Sequence, residues 1–411
     1  MKVIHTADWH LGHSLHGVSR EYEHEEFLAW LLGQLEEQMA DALIVAGDIF
    51  DSANPPASAQ SMLYAFLRDA KRALPGLDIV LIAGNHDSGS RLSAPAPILD
   101  AFGVHVIGGL PRRDDLSIDW SRLCAPLTNA QGQVAAWCGA MPFLRSADLP
   151  IGSDDEDPLI DGVRIRYQEL FEVLREAAGG DVPMIATGHC YMTGTQLSEL
   201  SERRILGGNQ HALPVDIFPD DIAYAALGHL HLAQRVGQRD AVRYSGSPIP
   251  LSIDEHRYRH QVAAVEIDGK GVSVQPLHVP RAVGIHRIPT NGPADIETVV
   301  EQLAELVLDT ELPPERHPYL EIRVRLEKPE PGLRQRLEES LAGRPVRLLK
   351  VTTTYTGTND ALADAGTTEQ LEMMAPEDVF VKRYARSYED EPSDELLGAF
   401  ASLLESLQGT D

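Results

Sequence analysis

Residues 79–88 read IVLIAGNHDS: four apolar, partly β-branched residues, then Ala83 and Gly84, then an amide, an imidazole and a carboxylate in succession, Asn85, His86 and Asp87. A buried strand delivering polar groups at its carboxyl end is how open α/β sheets build their sites. The same construction recurs through the first 231 residues. Residues 3–6 run into Asp8 and His10, residues 42–47 (ALIVAG) into Asp48, residues 183–188 (PMIATG) into His189, and residues 222–228 (IAYAALG) into His229 and His231. Seven candidate metal ligands therefore gather at one sheet edge: Asp8, His10, Asp48, Asn85, His189, His229 and His231.

The segments between these strands have helical spacing. Residues 21–39 place Phe27, Leu28, Leu31, Leu32 and Leu35 on one face, and residues 57–73 do the same with Leu63, Phe66, Leu67 and Ala70 before Pro75 and Gly76 end the helix. Residues 104–107, 134–141, 242–245 and 260–268 read as further strands, and 167–178 as a helix. Helices and strands alternate first and strands dominate later. The expected class is α/β (α+β), a β-sandwich flanked by helices.

A change of character near residue 283 divides the chain. Residues 1–283 form the expected main domain, and 284–354 a small separate α/β unit with strand, helix (295–308), strand (319–326), helix (332–341) and strand (346–353). Residues 355–375, rich in Thr, Gly, Ala and Asp, read as a linker. Residues 376–411 read as a helix-loop-helix whose second helix carries Leu396, Leu397, Phe400, Leu403, Leu404 and Leu407 on one stripe. A short hairpin has little core of its own, so the stripe either docks on a partner or packs back on its own domain.

Composition narrows the function. A chain of 411 residues with 43% hydrophobic content suits two or three packed domains. A net charge of −27 argues against adhesion to nucleic acid or anionic membrane through the mean charge, so any DNA contact is local, metal-assisted or shared with a partner. Cys124, Cys138 and Cys190 form no CxxC pair and leave an odd count, which points to a reducing cytoplasm rather than a disulfide framework. The opening MKVIHTADWH reaches ligand-type residues within eight positions, leaving no room for a signal segment. No G-x-x-x-x-G-K-[ST] occurs, so ATP acts through a partner if it acts at all.

Each candidate has a plainer reading by itself. Asp8 and His10 alone fit a surface turn, Asp51 reads first as a turn or cap residue before the helix at 57, and His13 and His16 as loop residues. The set as a whole is what carries metal chemistry. Mixed oxygen and imidazole ligands without cysteine favour an octahedral ion of the Mn²⁺, Mg²⁺ or Fe²⁺ kind over structural zinc. Seven ligands are too many for one ion and suit two, about 4 Å apart, with Asp48 bridging. Asp8, His10, Asp48 and His231 are assigned to the first ion, and Asp48, Asn85, His189 and His229 to the second. Such a pair serves hydrolysis of a phosphate ester. His86, beside a ligand, is the candidate to contact the phosphate and protonate the leaving oxygen, and Asp87 is expected to hold its other ring nitrogen.

The motifs DWH, GDIFD, GNHD, GHC and GHLH, in that order between Asp8 and His231, resemble the calcineurin-like metallophosphoesterase superfamily. Together with ADWHLG, GDIFDSANPP and YSGSPIPLSIDE (244–255), the small α/β unit and the tail, they resemble its SbcD branch, the nuclease subunits of bacterial SbcCD complexes. That resemblance implies a Mn²⁺-dependent exonuclease and endonuclease acting on DNA in repair, recombination and replication. It also implies a homodimer assembled with an SMC-like coiled-coil ATPase, SbcC, bound by the tail hairpin, and a capping unit, 284–354, that contacts DNA. Its ligand set falls on the seven residues above, and its phosphate-contacting histidine on His86. Archaeal and eukaryotic relatives carry a histidine where this chain has Asp51, so the resemblance assigns that position no role. The rivals are a two-metal phosphomonoesterase or cyclic-nucleotide phosphodiesterase, and a non-catalytic scaffold braced by metals. Phosphoprotein phosphatases of the superfamily follow GDxxD with arginine, and Ser52 stands here.

Overall fold

Strands with continuous apolar sequence form here because both of their faces are covered. In Ala42–Ala46, Leu43 and Val45 pack outward under helices while Ala42, Ile44 and Ala46 face a second sheet; Asp78–Ile82 divides in the same way, with Ile79 and Leu81 out and Val80 and Ile82 in. The period of two is present but hidden, since every position is hydrophobic.

The computed structural model describes residues 1–150, 158–180, 182–196, 212–268 and 271–356, with scattered positions between 380 and 400. One six-stranded sheet runs Gly271–His278, Gln261–Asp268, Lys2–Thr6, Ala42–Ala46, Asp78–Ile82, Val104–Ile107. Its last four strands are parallel, and Gln261–Asp268 joins Lys2–Thr6 antiparallel. The other six-stranded sheet runs Gln234–Val236, Arg239–Tyr244, Ile222–Gly228, Met184–His189, Val134–Gly139, Cys124–Thr128. Helices Glu21–Gln38 and Ala57–Ala73 cover the outer face of the first sheet, and Pro158–Ala178 the outer face of the second. The result is a helix, sheet, sheet, helix sandwich of the α/β class. His5 ties the sheets together across the dry interior, its Nδ1 2.9 Å from Tyr224 Oη and its Nε2 3.2 Å from the Leu227 carbonyl oxygen.

Several elements differ from the sequence expectations. The helix expected at 167–178 begins at Pro158, because Val163 and Gly162 continue its buried face up to Leu149. The strands Cys124–Thr128 and Gly271–His278 were not anticipated: each is an edge strand, paired on one side and half exposed, so its pattern is weak. The three cysteines are single thiols.

The described residues form two compact units, one of residues 1–285 with 312–318, the other of 286–311 and from 319 onward. The second unit holds, from His286 on, the sheet Ile285–Ile288, Tyr319–Leu326, Arg347–Tyr355, with Ile296–Glu305 and Leu333–Ser340 packing Val299, Leu303 and Leu337 against Leu320, Ile322 and Val324. The linker expected at 355–375 begins inside structure, since the last strand of this sheet runs on to Tyr355; the rest of it, from 357, and most of the tail expected to form a hairpin lie outside the described residues. Among the described positions of the tail, the rings of Phe380 and Phe400 stack with centroids 4.2 Å apart. No helix among the described residues is long and apolar enough to cross a membrane.

Candidate metal centre

The seven candidate ligands all sit where strands end. The loop after Lys2–Thr6 is laced to the loop after Ala42–Ala46 by Asp8 N–H to Gly47 O at 3.0 Å, His10 N–H to Asp48 O at 3.0 Å and Leu11 N–H to Ile49 O at 2.9 Å. These loops do not continue the strands as extended chain. Asp8 (φ 55°), His10 (φ 47°), Asp48 (φ 47°) and His229 (φ 104°) all occupy the left-handed region. That conformation costs L-residues on the order of 1–3 kcal/mol each and collects at functional sites. Convergence here comes from strained turns.

Glycines make room for the ligands. A Cβ on Gly47 would overlap His189 Nδ1, and one on Gly84 would overlap Asp48 Oδ1 and its backbone nitrogen. These are close approaches only glycine allows.

Asp48 lies at the centre. Its Oδ2 is 3.3 Å from His189 Nε2 and 3.5 Å from His10 Nε2, and its Oδ1 accepts the His86 backbone N–H at 2.9 Å. Asp8 Oδ1 accepts the His229 backbone N–H at 2.9 Å. Asn85 Oδ1 is 3.0 Å from His189 Nε2 and 3.2 Å from His229 Nδ1. His189 Nδ1 donates to the Ala46 carbonyl at 2.9 Å, which turns Nε2 toward Asp48. Ligand-type atoms of Asp8, His10 and His231 lie within 4.8 Å of one another, as do those of Asp8, Asp48 and His189 and those of His10, Asp48 and His86. All seven candidates therefore come together around the Asp48 carboxylate.

Charge in this cluster is poorly matched by the protein itself. Burial pushes Asp8 up to about 6. Burial opposes Asp48 as well, but His189 and His10 beside it hold it well below the ordinary carboxylate range. His10 is lowered to about 4 and His229 to about 3 by burial, so both present neutral rings; His189, against the same burial, is raised to about 9 by Asp48 and Asp8. Asp8 Oδ2 and His10 Nε2 are buried without a hydrogen-bond partner. Buried acceptors are normally satisfied, and two orphaned ligand-type atoms in one cluster are what a cation site leaves behind. The donors, carboxylate, amide and imidazole with no thiolate, fit two divalent ions of the Mn²⁺ class.

Asp87 differs from expectation. Its carboxylate does not reach the His86 ring but accepts three backbone N–H groups, Gly84 at 2.8 Å, Phe50 at 2.9 Å and Ile49 at 3.1 Å. His86 Nδ1 donates instead to the Asp51 carbonyl at 2.8 Å, and its ring stands 4.8 Å from that of His10. A carboxylate one residue after His86 points down into the turn, where unpaired amides of two loops need an acceptor. Asp51, read as a turn residue, has its side chain on His10 and His13. Glu255, which holds His231 Nδ1 at 2.9 Å, was missed. No spacing in the stretch 244–255, YSGSPIPLSIDE, marks this Glu as the partner of His231.

Residues 1–233 match the family described as calcineurin-like phosphoesterase, and residues 281–388 the family described as type 5 capsule protein repressor C-terminal domain. Among individual proteins, the chain is 40% identical to the SbcD component of nuclease SbcCD from Rhodobacter capsulatus over 93% of its own length and 94% of that protein's. It is 31% identical to the protein of the same name from Escherichia coli, covering 100% and 99%, and 36% identical to that of Bacillus subtilis, covering 65% and 66%.

Proposed function

This chain belongs to the SbcD family of SbcCD nuclease components, within the calcineurin-like phosphoesterases, and from that premise we propose that it hydrolyses DNA phosphodiesters with two Mn²⁺ ions at the Asp48 cluster. The observation that carries the reading is one buried carboxylate set between His10 and His189, with Asp8, His231, Asn85 and His229 around it. Asp8, His10, Asp48 and His231 would hold one ion and Asp48, Asn85, His189 and His229 the other. Bound there, the pair would neutralise the phosphodiester and activate the attacking water.

The chain's own groups do the rest. Buried neutral His10 and His229 offer lone pairs, while the lacing of two loops fixes the donors in place. Because His86 donates through Nδ1 to a main-chain oxygen, its Nε2 is the nitrogen left for substrate. With both ring nitrogens protonated, His86 would donate Nε2–H to a phosphate oxygen and pass that proton to the leaving alkoxide as the phosphorus–oxygen bond breaks, while the attacking water bonds to phosphorus and gives up its own proton to solvent. Asp87 serves by pinning the turns that carry Asp48 and Asn85.

The finer assignment follows the family. The chain acts as an ATP-dependent double-strand 3′–5′ exonuclease and a single-strand and hairpin endonuclease, as a homodimer with an SbcC-type ATPase held by residues 376–411. The capping unit 284–354 contacts DNA. Absence of a P-loop and the −27 charge support a component that borrows nucleotide energy and DNA affinity from its partner. The test is cleavage of blunt, hairpin and single-stranded DNA with Mn²⁺, with and without the ATPase and ATP. DNA cleavage lost in His86→Gln is expected; hydrolysis of small phosphomonoesters with no DNA cleaved would reject the nuclease reading.

A further inference from the structure

Two of the candidate ligands are braced by carboxylates that the reaction above does not use. His231 Nδ1 lies 2.9 Å from Glu255 Oε1, and His10 Nδ1 lies 3.2 Å from Asp51 Oδ1. Both braces serve the group of Asp8, His10 and His231. His189, by contrast, is fixed by a main-chain oxygen, that of Ala46.

The two braces meet at a single residue. Leu251 N–H donates to Glu255 Oε2 at 2.8 Å, and the Leu251 carbonyl lies 3.1 Å from Nε2 of His13, whose Nδ1 is 3.0 Å from Asp51 Oδ1. The stretch around Leu251 is anchored in turn by Arg20, which donates through Nη1 to the Pro250 carbonyl at 2.6 Å while its guanidinium pairs with Glu23. Arg20, Glu23 and Glu255 are buried, so this is an interior framework. An acceptor on Nδ1 fixes the tautomer with its proton there and the lone pair on Nε2. In His10, Nε2 is the buried atom without a hydrogen-bond partner.

We propose that Glu255 and Asp51, coupled through Leu251, are positioning residues that select Nε2 of His231 and His10 and thereby set the affinity of one of the two cation positions. The proposal rests on the two-ion reading of the centre. It also gives Asp51 a role suited to a carboxylate: it faces two imidazole Nδ1 atoms at once, which a histidine could not serve.

The test is Mn²⁺ binding to the full chain at fixed pH, followed by calorimetry and by the electron paramagnetic resonance of free and bound ion. The unsubstituted chain should take up two ions. In Glu255→Ala and Asp51→Ala one binding step should weaken by about 10–100-fold and the other stay in place. Glu255→Gln, whose single amide oxygen can accept from His231 Nδ1–H but cannot also accept the Leu251 N–H, should recover part of the loss. Combining Glu255→Ala with Asp51→Ala should cost less than the two effects summed, because the braces share Leu251. Glu255→Ala also leaves the Leu251 N–H without its acceptor; should it fail to fold, Asp51→Ala, whose side chain is 35% exposed, decides the matter. Wild-type affinity at both positions in Asp51→Ala, equal loss at both, or a glutamine variant no better than alanine would overturn the proposal. An unsubstituted chain that binds no Mn²⁺ would overturn the two-ion reading instead.

Discussion

Asp87→Ala separates a scaffold role from a chemical one. The buried carboxylate accepts N–H groups from Gly84, Ile49 and Phe50, so alanine strands three donors where water does not reach them. Each stranded donor costs about 1–3 kcal/mol. Part of that total is returned, because burial already disfavours the charge, pushing Asp87 up to about 6. A net loss of about 3 kcal/mol is expected, which for a domain of this size lowers Tm by roughly 6–12 °C. Asp87→Asn keeps one acceptor oxygen and should lose about half as much. The assay is thermal and urea unfolding of each variant alongside Mn²⁺-dependent DNA cleavage, with stability and activity expected to fall together and low temperature restoring part of the activity. A folded Asp87→Ala with unchanged Tm and cleavage abolished would refute the scaffold reasoning and return Asp87 to the chemistry of His86.

Gly84→Ala places a methyl group onto Asp48, so Mn²⁺ affinity should drop at least about tenfold at both positions, read by calorimetry; wild-type binding would mean that Asp48 is not held as described. His24, buried against the Trp9 carbonyl, has its pKa lowered to about 3 by burial and by Arg20. It stays neutral in the folded chain while the unfolded chain takes up a proton below about 6.5, so its contribution is intact above pH 6.5 and is lost as pH falls toward 3, at about 1.4 kcal/mol per pH unit. His24→Leu should flatten the pH dependence of unfolding free energy between pH 6.5 and 5 by about that slope, and an unchanged slope would show that His24 is not the group responsible.

Much of this centre is legible in the sequence because strand ends announce themselves: an apolar run, a glycine, then a ligand-type residue, repeated along the chain. The helices Ala57–Ala73 and Glu21–Gln38 follow from spacing in the same way. Other features are not written locally. The left-handed backbone at Asp8, His10 and Asp48 arises from packing between two loops that are about 40 residues apart in sequence, and no residue type there demands it. Asp87 faces away from His86 because amides contributed by the GDIF turn claim it, a tertiary fact. Glu255 comes from a segment 24 positions beyond its histidine, with no spacing to mark the pair. Edge strands such as Gly271–His278 were missed because half-exposed chain carries little hydrophobic pattern.

The central claim is that one carboxylate joins two cation positions, and Mn²⁺ stoichiometry in Asp48→Ala against the unsubstituted chain tests it most directly. Two ions bound by the unsubstituted chain, with magnetically coupled resonance, and loss of that coupling together with tight binding at both positions in Asp48→Ala is the predicted result. Two tightly bound, coupled ions in Asp48→Ala would contradict it.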